Sequence, residues 1–121
     1  ADALADPSRH ALIDEVRARD LHLEICPTSN VHTGAARSIA AHPIVALWRA
    51  GVSLGVNTDN RLMSRVTPSS ECDELLAHTP LTLHDLAHMQ REAARHSFLA
   101  PAAREAAVAA IVAYERFMSS T

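Results

Sequence analysis

Gly51-Val52-Ser53-Leu54-Gly55-Val56-Asn57-Thr58-Asp59-Asn60 is the stretch on which the fold turns. Apolar residues alternate with small or polar ones along it, the period of a β-strand. Val52, Leu54, Val56 and Thr58 fall on one face; Ser53, Gly55, Asn57 and Asp59 fall on the other. Immediately upstream, Gly51 closes a short helix over residues 44 to 50 that His42-Pro43 opens. Further back lie a small-residue stretch at 35 to 41 and a polar loop at 28 to 34. Ahead of that loop, Leu21-His22-Leu23-Glu24-Ile25-Cys26 alternates in the same way until Pro27 ends it. Strand, helix, strand is a βαβ crossover, so the two strands are expected to be parallel with a right-handed connection.

The flanks are helical. Asp6-Pro7 reads as an N-cap and first helical residue, and Leu12, Ile13 and Val16 carry helical spacing to about residue 19. Downstream of Asn60 the spacing predicts helices over 68 to about 77 (Thr67 as cap), 83 to about 96 (Thr82 as cap, Asp85 three residues on) and 101 to about 118. Two parallel strands with five helices cannot close a sheet that needs both faces covered, so the pattern is α/β and incomplete.

Composition narrows the classes. The chain has 121 residues, 48% hydrophobic and 21% charged, enough for one small domain. Its net charge is −3 and Arg supplies every positive charge, so the clustered basic residues that phosphate binding requires are missing and nucleic acid is not the expected partner. No apolar run approaches the ~20 residues that span a bilayer, which leaves no membrane role to expect. The opening residues do not read as a signal peptide. Cys26 and Cys72 are far apart and form no redox motif, which makes a cytoplasmic protein with reduced thiols the expectation. A start at Ala1, directly in a helical pattern, fits a piece of a longer polypeptide; removal of a methionine before alanine is the alternative.

Asp59 falls at the C-terminal end of its strand, the edge where parallel α/β folds place their chemistry. A carboxylate there is either a hard oxygen ligand for a metal or the cap of the following turn. His22, Glu24 and Cys26 share the polar face of the first strand, which suits His22 and Glu24 only if the interior is polar or the pair satisfies itself by hydrogen bonding, and a structural role is expected over a catalytic one. Eight histidines are present. His84-Asp85-Leu86-Ala87-His88 has the spacing of a zinc helix but lacks its glutamate. His84, His88, Arg91 and Arg95 therefore read as a solvated stripe, with Leu86, Met89 and Ala93 on the buried side. His10, His78 and His96 suggest no partners.

Cys26-Pro27-Thr28-Ser29-Asn30, the decisive stretch at 51 to 60, His42-Pro43, and Ala93-Ala94-Arg95-His96-Ser97-Phe98-Leu99 together resemble the adenosine deaminase family, over about residues 1 to 118. That resemblance implies the C-terminal part of a (β/α)8 TIM-type barrel, with residues 1–121 a segment of one metal-dependent hydrolase domain and not a complete domain. It also implies one zinc ion per complete barrel. Asp59 would be the zinc-ligating aspartate, and Asn60 would stand where the family often has an aspartate against purine N7. Because N7 is an acceptor, a carboxylic acid must be protonated to donate to it, whereas a carboxamide donates directly. Ser29 and Asn30 would lie close behind these groups, and residues 63 to 68 in the loop beside them. The implied chemistry is hydrolytic deamination of adenosine to inosine and ammonia, using water made acidic by zinc.

The family's His-x-His pair, third zinc histidine, catalytic glutamate and helper histidine belong to earlier strands, and no stretch here matches them. No catalytic residue is therefore assigned within the segment, which is expected to be inactive alone. The implied partners are a purine nucleoside substrate and the remainder of the barrel, in cis or as another chain. Adenine or modified adenosines are alternative substrates. A different class is also open: a non-catalytic half-barrel that only associates with other chains through its uncovered edges.

Overall fold

The computed structural model describes residues 7–120. The elements run α1 (Pro7–Ala18), β1 (His22–Ile25), α2 (Pro27–His32), α3 (Ile44–Arg49), β2 (Ser53–Val56), α4 (Arg61–Ser64), α5 (Pro68–His78), α6 (Leu83–His96) and α7 (Pro101–Ser119). The Asp6 cap expected for α1 lies outside the described residues. At its other end α1 stops at Asp20, which takes a left-handed conformation (φ 52°). Leu21 N–H bonds back to Val16 O and Asp20 N–H to Arg17 O, a closing motif that turns the chain straight into β1. The same pair of bonds ends α3, from Val52 to Leu47 and from Gly51 to Trp48. Here Gly51 supplies the positive φ of 75°.

β1 and β2 are parallel and in the register His22–Ser53, Leu23–Leu54, Glu24–Gly55 and Ile25–Val56. Both strands are shorter than the sequence suggests, and Asp59 comes three residues after β2 ends. The apolar face is the core. Leu54 and Val56 pack with Ile44 of α3, Leu75 of α5 and Leu86 and Met89 of α6, all nearly or completely buried. Each such side chain contributes roughly 1.5–3 kcal/mol by leaving water.

Helices α5 and α6 begin where expected, with reciprocal capping boxes at Thr67–Ser70 and Thr82–Asp85. In α6, Leu86 and Met89 are buried as the spacing requires, but the polar stripe is not simply solvated. Arg91 Nη1 lies 2.6 Å from Glu115 Oε2 and ties α6 to α7. His88 meets Trp48 edge-on at 4.9 Å between ring centroids. Trp48 Nε1 in turn donates to Asp85 Oδ1 at 3.0 Å. Burial would raise the Asp85 carboxyl, but hydrogen bonds from Thr82 and Trp48 outweigh it and hold the group below its ordinary range.

α6 also crosses to the polar face of the sheet. Ala93 presses on Gly55 so closely that a β-carbon there would lie 2.9 Å from the alanine methyl. His96 stacks on His22 with centroids 4.8 Å apart. One turn before Ala93, Gln90 Nε2 donates to Val56 O at 3.0 Å. Asn57 N–H bonds to β1, so the carbonyl of the same peptide unit points to the opposite, open edge of β2. No helix among the described residues is long and apolar enough to cross a membrane.

Candidate functional site

The polar loop expected after Pro27 is a helix instead, α2. Thr28, Ser29 and Asn30 are turn-forming residues and read as loop, but Pro27 at the first helical position presets φ for a helix. The consequence is a defined geometry at the C-terminal ends of the strands. Ser29 Oγ donates to Asp59 Oδ2 at 2.8 Å, joining the segment after β1 to the segment after β2. No hydrogen bond to Asp59 Oδ1 forms among the described residues.

Asn60 settles which residue caps the next turn. Its Oδ1 accepts from Leu62 N at 3.1 Å and Met63 N at 3.0 Å, so Asn60 is the N-cap of α4 and Asp59 is left out of that role. Those two backbone donors fix the amide the right way round, since only the oxygen accepts. Met63 consequently belongs to a helical turn and not to a loop; Arg65, left-handed at φ 52°, ends it.

Asn30 turns away from Asp59. Its Oδ1 is 3.0 Å from His42 Nε2, and His42 Nδ1 accepts from Ile44 N at 3.0 Å. That second bond assigns the tautomer: Nε2 carries the proton and donates to Asn30. Burial pushes the His42 pKa down, favouring this neutral form. Sequence reading placed His42 only as a helix opener; its bond to Asn30 depends on a chain reversal that no local signal announces.

Cys26 stands beside the same end. Burial, followed by the negative charges of Asp59, Glu71 and Glu24, raises its thiol pKa. It is therefore a thiol at neutral pH and not a ready thiolate ligand. At the other end of the strands, His22 and Glu24 do not satisfy each other. His22 Nδ1 bonds Ser53 Oγ at 2.8 Å, while Nε2 is 3.6 Å from Glu24 Oε1 and has no hydrogen bond. Burial lowers the His22 pKa, with Glu24 opposing. His78 pairs with Glu74 at 3.4 Å, and His96 lies 3.5 Å from Asp20. Among the described residues no group of three or more His, Cys, Asp or Glu could hold a metal ion. Asp59 fits a metal as a single hard oxygen donor through Oδ1, and the other donors must come from elsewhere.

An apolar groove of about 370 Å³, lined by Cys72, Leu86, Ile111 and Tyr114 among others, shares no residue with this constellation. Glu71 escaped the sequence reading altogether. It is fully buried, and its Oε2 accepts from both Thr28 N and Thr28 Oγ1.

Comparison with known proteins agrees with the resemblance. The adenosine deaminase family model matches residues 2–114. Adenosine deaminase 1 of Streptomyces coelicolor is 42% identical over 88 residues, 73% of this chain and 22% of that protein. Adenosine deaminase of Plasmodium falciparum is 39% identical over 90 residues, 74% of this chain and 24% of that protein. The chain thus spans under a quarter of the length of these relatives. A crystal structure of adenine deaminase from Arthrobacter aurescens superposes with a TM-score of 0.84, covering 93% of this chain and 34% of that one at 19% identity. The parallel strand pair with its helices is accordingly part of an α/β barrel, and the chain belongs to the adenosine deaminase family.

Proposed function

We propose that the chain is the C-terminal section of a zinc-dependent (β/α)8 aminohydrolase that converts adenosine to inosine and ammonia. The observation that carries this reading is the Ser29–Asp59 pair at the C-terminal ends of two neighbouring parallel strands. It holds one carboxylate oxygen and leaves the other available. Zinc, when bound, supplies Lewis acidity and a water that ionises near neutral pH. Asp59 would hold it through Oδ1. Ser29 fixes the rotation of the Asp59 carboxylate by occupying Oδ2, the work of an outer partner to a metal ligand.

Asn60 orients the purine. Its oxygen is consumed by the α4 backbone, so the amide nitrogen offers only donors, and purine N7 is an acceptor. The remaining zinc ligands and the groups that move protons to the ring come from the rest of the barrel, in cis or from another chain. This segment alone is expected to be inactive.

The test is ultraviolet-monitored deamination of adenosine by the full-length protein. Inosine should form, chelation should stop the reaction, and zinc should restore it. A full-length protein that binds no zinc and leaves adenosine unchanged ends the proposal.

A further inference from the structure

We infer that Glu71 is a positioning residue for the Asp59 site, holding α2 in place so that Ser29 reaches the Asp59 carboxylate. This rests on the reading of Asp59 as a metal ligand. The capping box at Thr67–Ser70 starts α5 and places Glu71 in its first turn. A negative side chain is favoured there by the helix dipole. Glu71 is 0% exposed, an expensive place for a carboxylate without a partner. Its Oε2 is partnered by Thr28, whose N–H and Oγ1 both donate to it, at 3.1 and 3.0 Å, while Oε1 is buried without a hydrogen bond among the described residues.

Thr28 needs that acceptor. Helix α2 has six residues, and the residue before it, Cys26, gives no side-chain cap. Pro27 has no N–H, so Thr28 carries the first unpaired donor of the helix. So short a helix does not hold itself together, because nucleation costs more than a turn and a half returns. Glu71 supplies the missing cap from 43 residues away. The next residue along, Ser29, makes the 2.8 Å bond to Asp59. An unbroken series of hydrogen bonds and covalent links therefore runs from α5 through α2 to Asp59, with no direct hydrogen bond between Glu71 and Asp59.

The experiment uses the full-length protein and two readouts: amide hydrogen exchange over residues 26 to 32 without metal, and zinc affinity by competition with a chromophoric chelator. In Glu71→Met, exchange over that segment should rise at least about tenfold while α6 is unchanged, and zinc should bind about 10- to 100-fold more weakly. Glu71→Gln keeps a carbonyl oxygen for Thr28 and should stay within about fivefold of wild type on both readouts, losing only charge assistance.

Wild-type exchange and affinity in Glu71→Met would overturn the inference, as would exchange rising throughout the protein in Glu71→Gln. Should Glu71→Met fail to fold, Thr28→Val removes one of the two donors. It must then show the same local pattern at smaller size, and wild-type behaviour there overturns the inference equally. A wild-type protein that takes up no zinc defeats the functional proposal instead, and the exchange comparison still decides whether Glu71 holds α2.

Discussion

The two ends of the sheet carry polar clusters built on opposite lines. Where the strands begin, His22 is bonded to Ser53, stacked on His96 and enclosed, and two residues beyond Ser53 Gly55 is pressed against Ala93 with no room for a β-carbon. Where they end, Asp59 and Asn60 are exposed, and each has one side of its head group fixed by the chain and the other side open. One cluster is enclosed by packing and ring stacking, with His22 Nε2 lacking a hydrogen bond among the described residues; the other is exposed and held in orientation from one side. The contrast follows the general rule that parallel barrels place active sites at the C-terminal ends of their strands and packing at the other.

Substitutions break the comparison in different currencies. Asp59→Asn in the full-length protein should cut deamination by more than about 100-fold, beyond the loss typical of outer partners to a metal. Its effect on a denaturant midpoint should stay within about 0.5 kcal/mol, as for an exposed side chain. Ser29→Ala should weaken zinc binding by about 10- to 100-fold with equally little effect on stability; unchanged affinity would sever the tie between Ser29 and Asp59. Gly55→Ala should do the reverse, destabilising the fold by about 1–3 kcal/mol through overpacking while sparing zinc affinity.

The smallest effect is on pH dependence. The His42 and His22 pKa values are lowered from 6.5 by burial, so the folded protein keeps both neutral where the unfolded chain has begun to take up protons. Their contribution to stability is full above pH 6.5 and is lost as pH falls below it. Denaturant midpoints between pH 7.5 and 5.5 should therefore fall, and fall less in His42→Gln.

What the sequence revealed was whatever has a local cause. Gly51, Thr67 and Thr82 announce helix ends within four residues of the bonds they make, and strand alternation placed Asp59 beyond the C-terminal end of β2. Helix α2 was illegible because its residues favour turns and its cap comes from Glu71. The Asn30–His42 bond and the stacking of His96 on His22 were hidden for the same reason: tertiary packing, not spacing, brings each pair together. Asp59 and Asn60 were both flagged from sequence, and only the structure shows that Asn60 takes the cap and thereby releases Asp59.

Gln90 has a consequence for assembly. A bare strand edge invites any extended chain, and β2 would offer one at Val56 O. The Gln90 amide occupies that carbonyl with a bond of modest net value, roughly 0.5–1.5 kcal/mol. A stray peptide offering one donor gains nothing by displacing it. Gln90 thus satisfies, from within the described residues, the β2 carbonyl that faces away from β1.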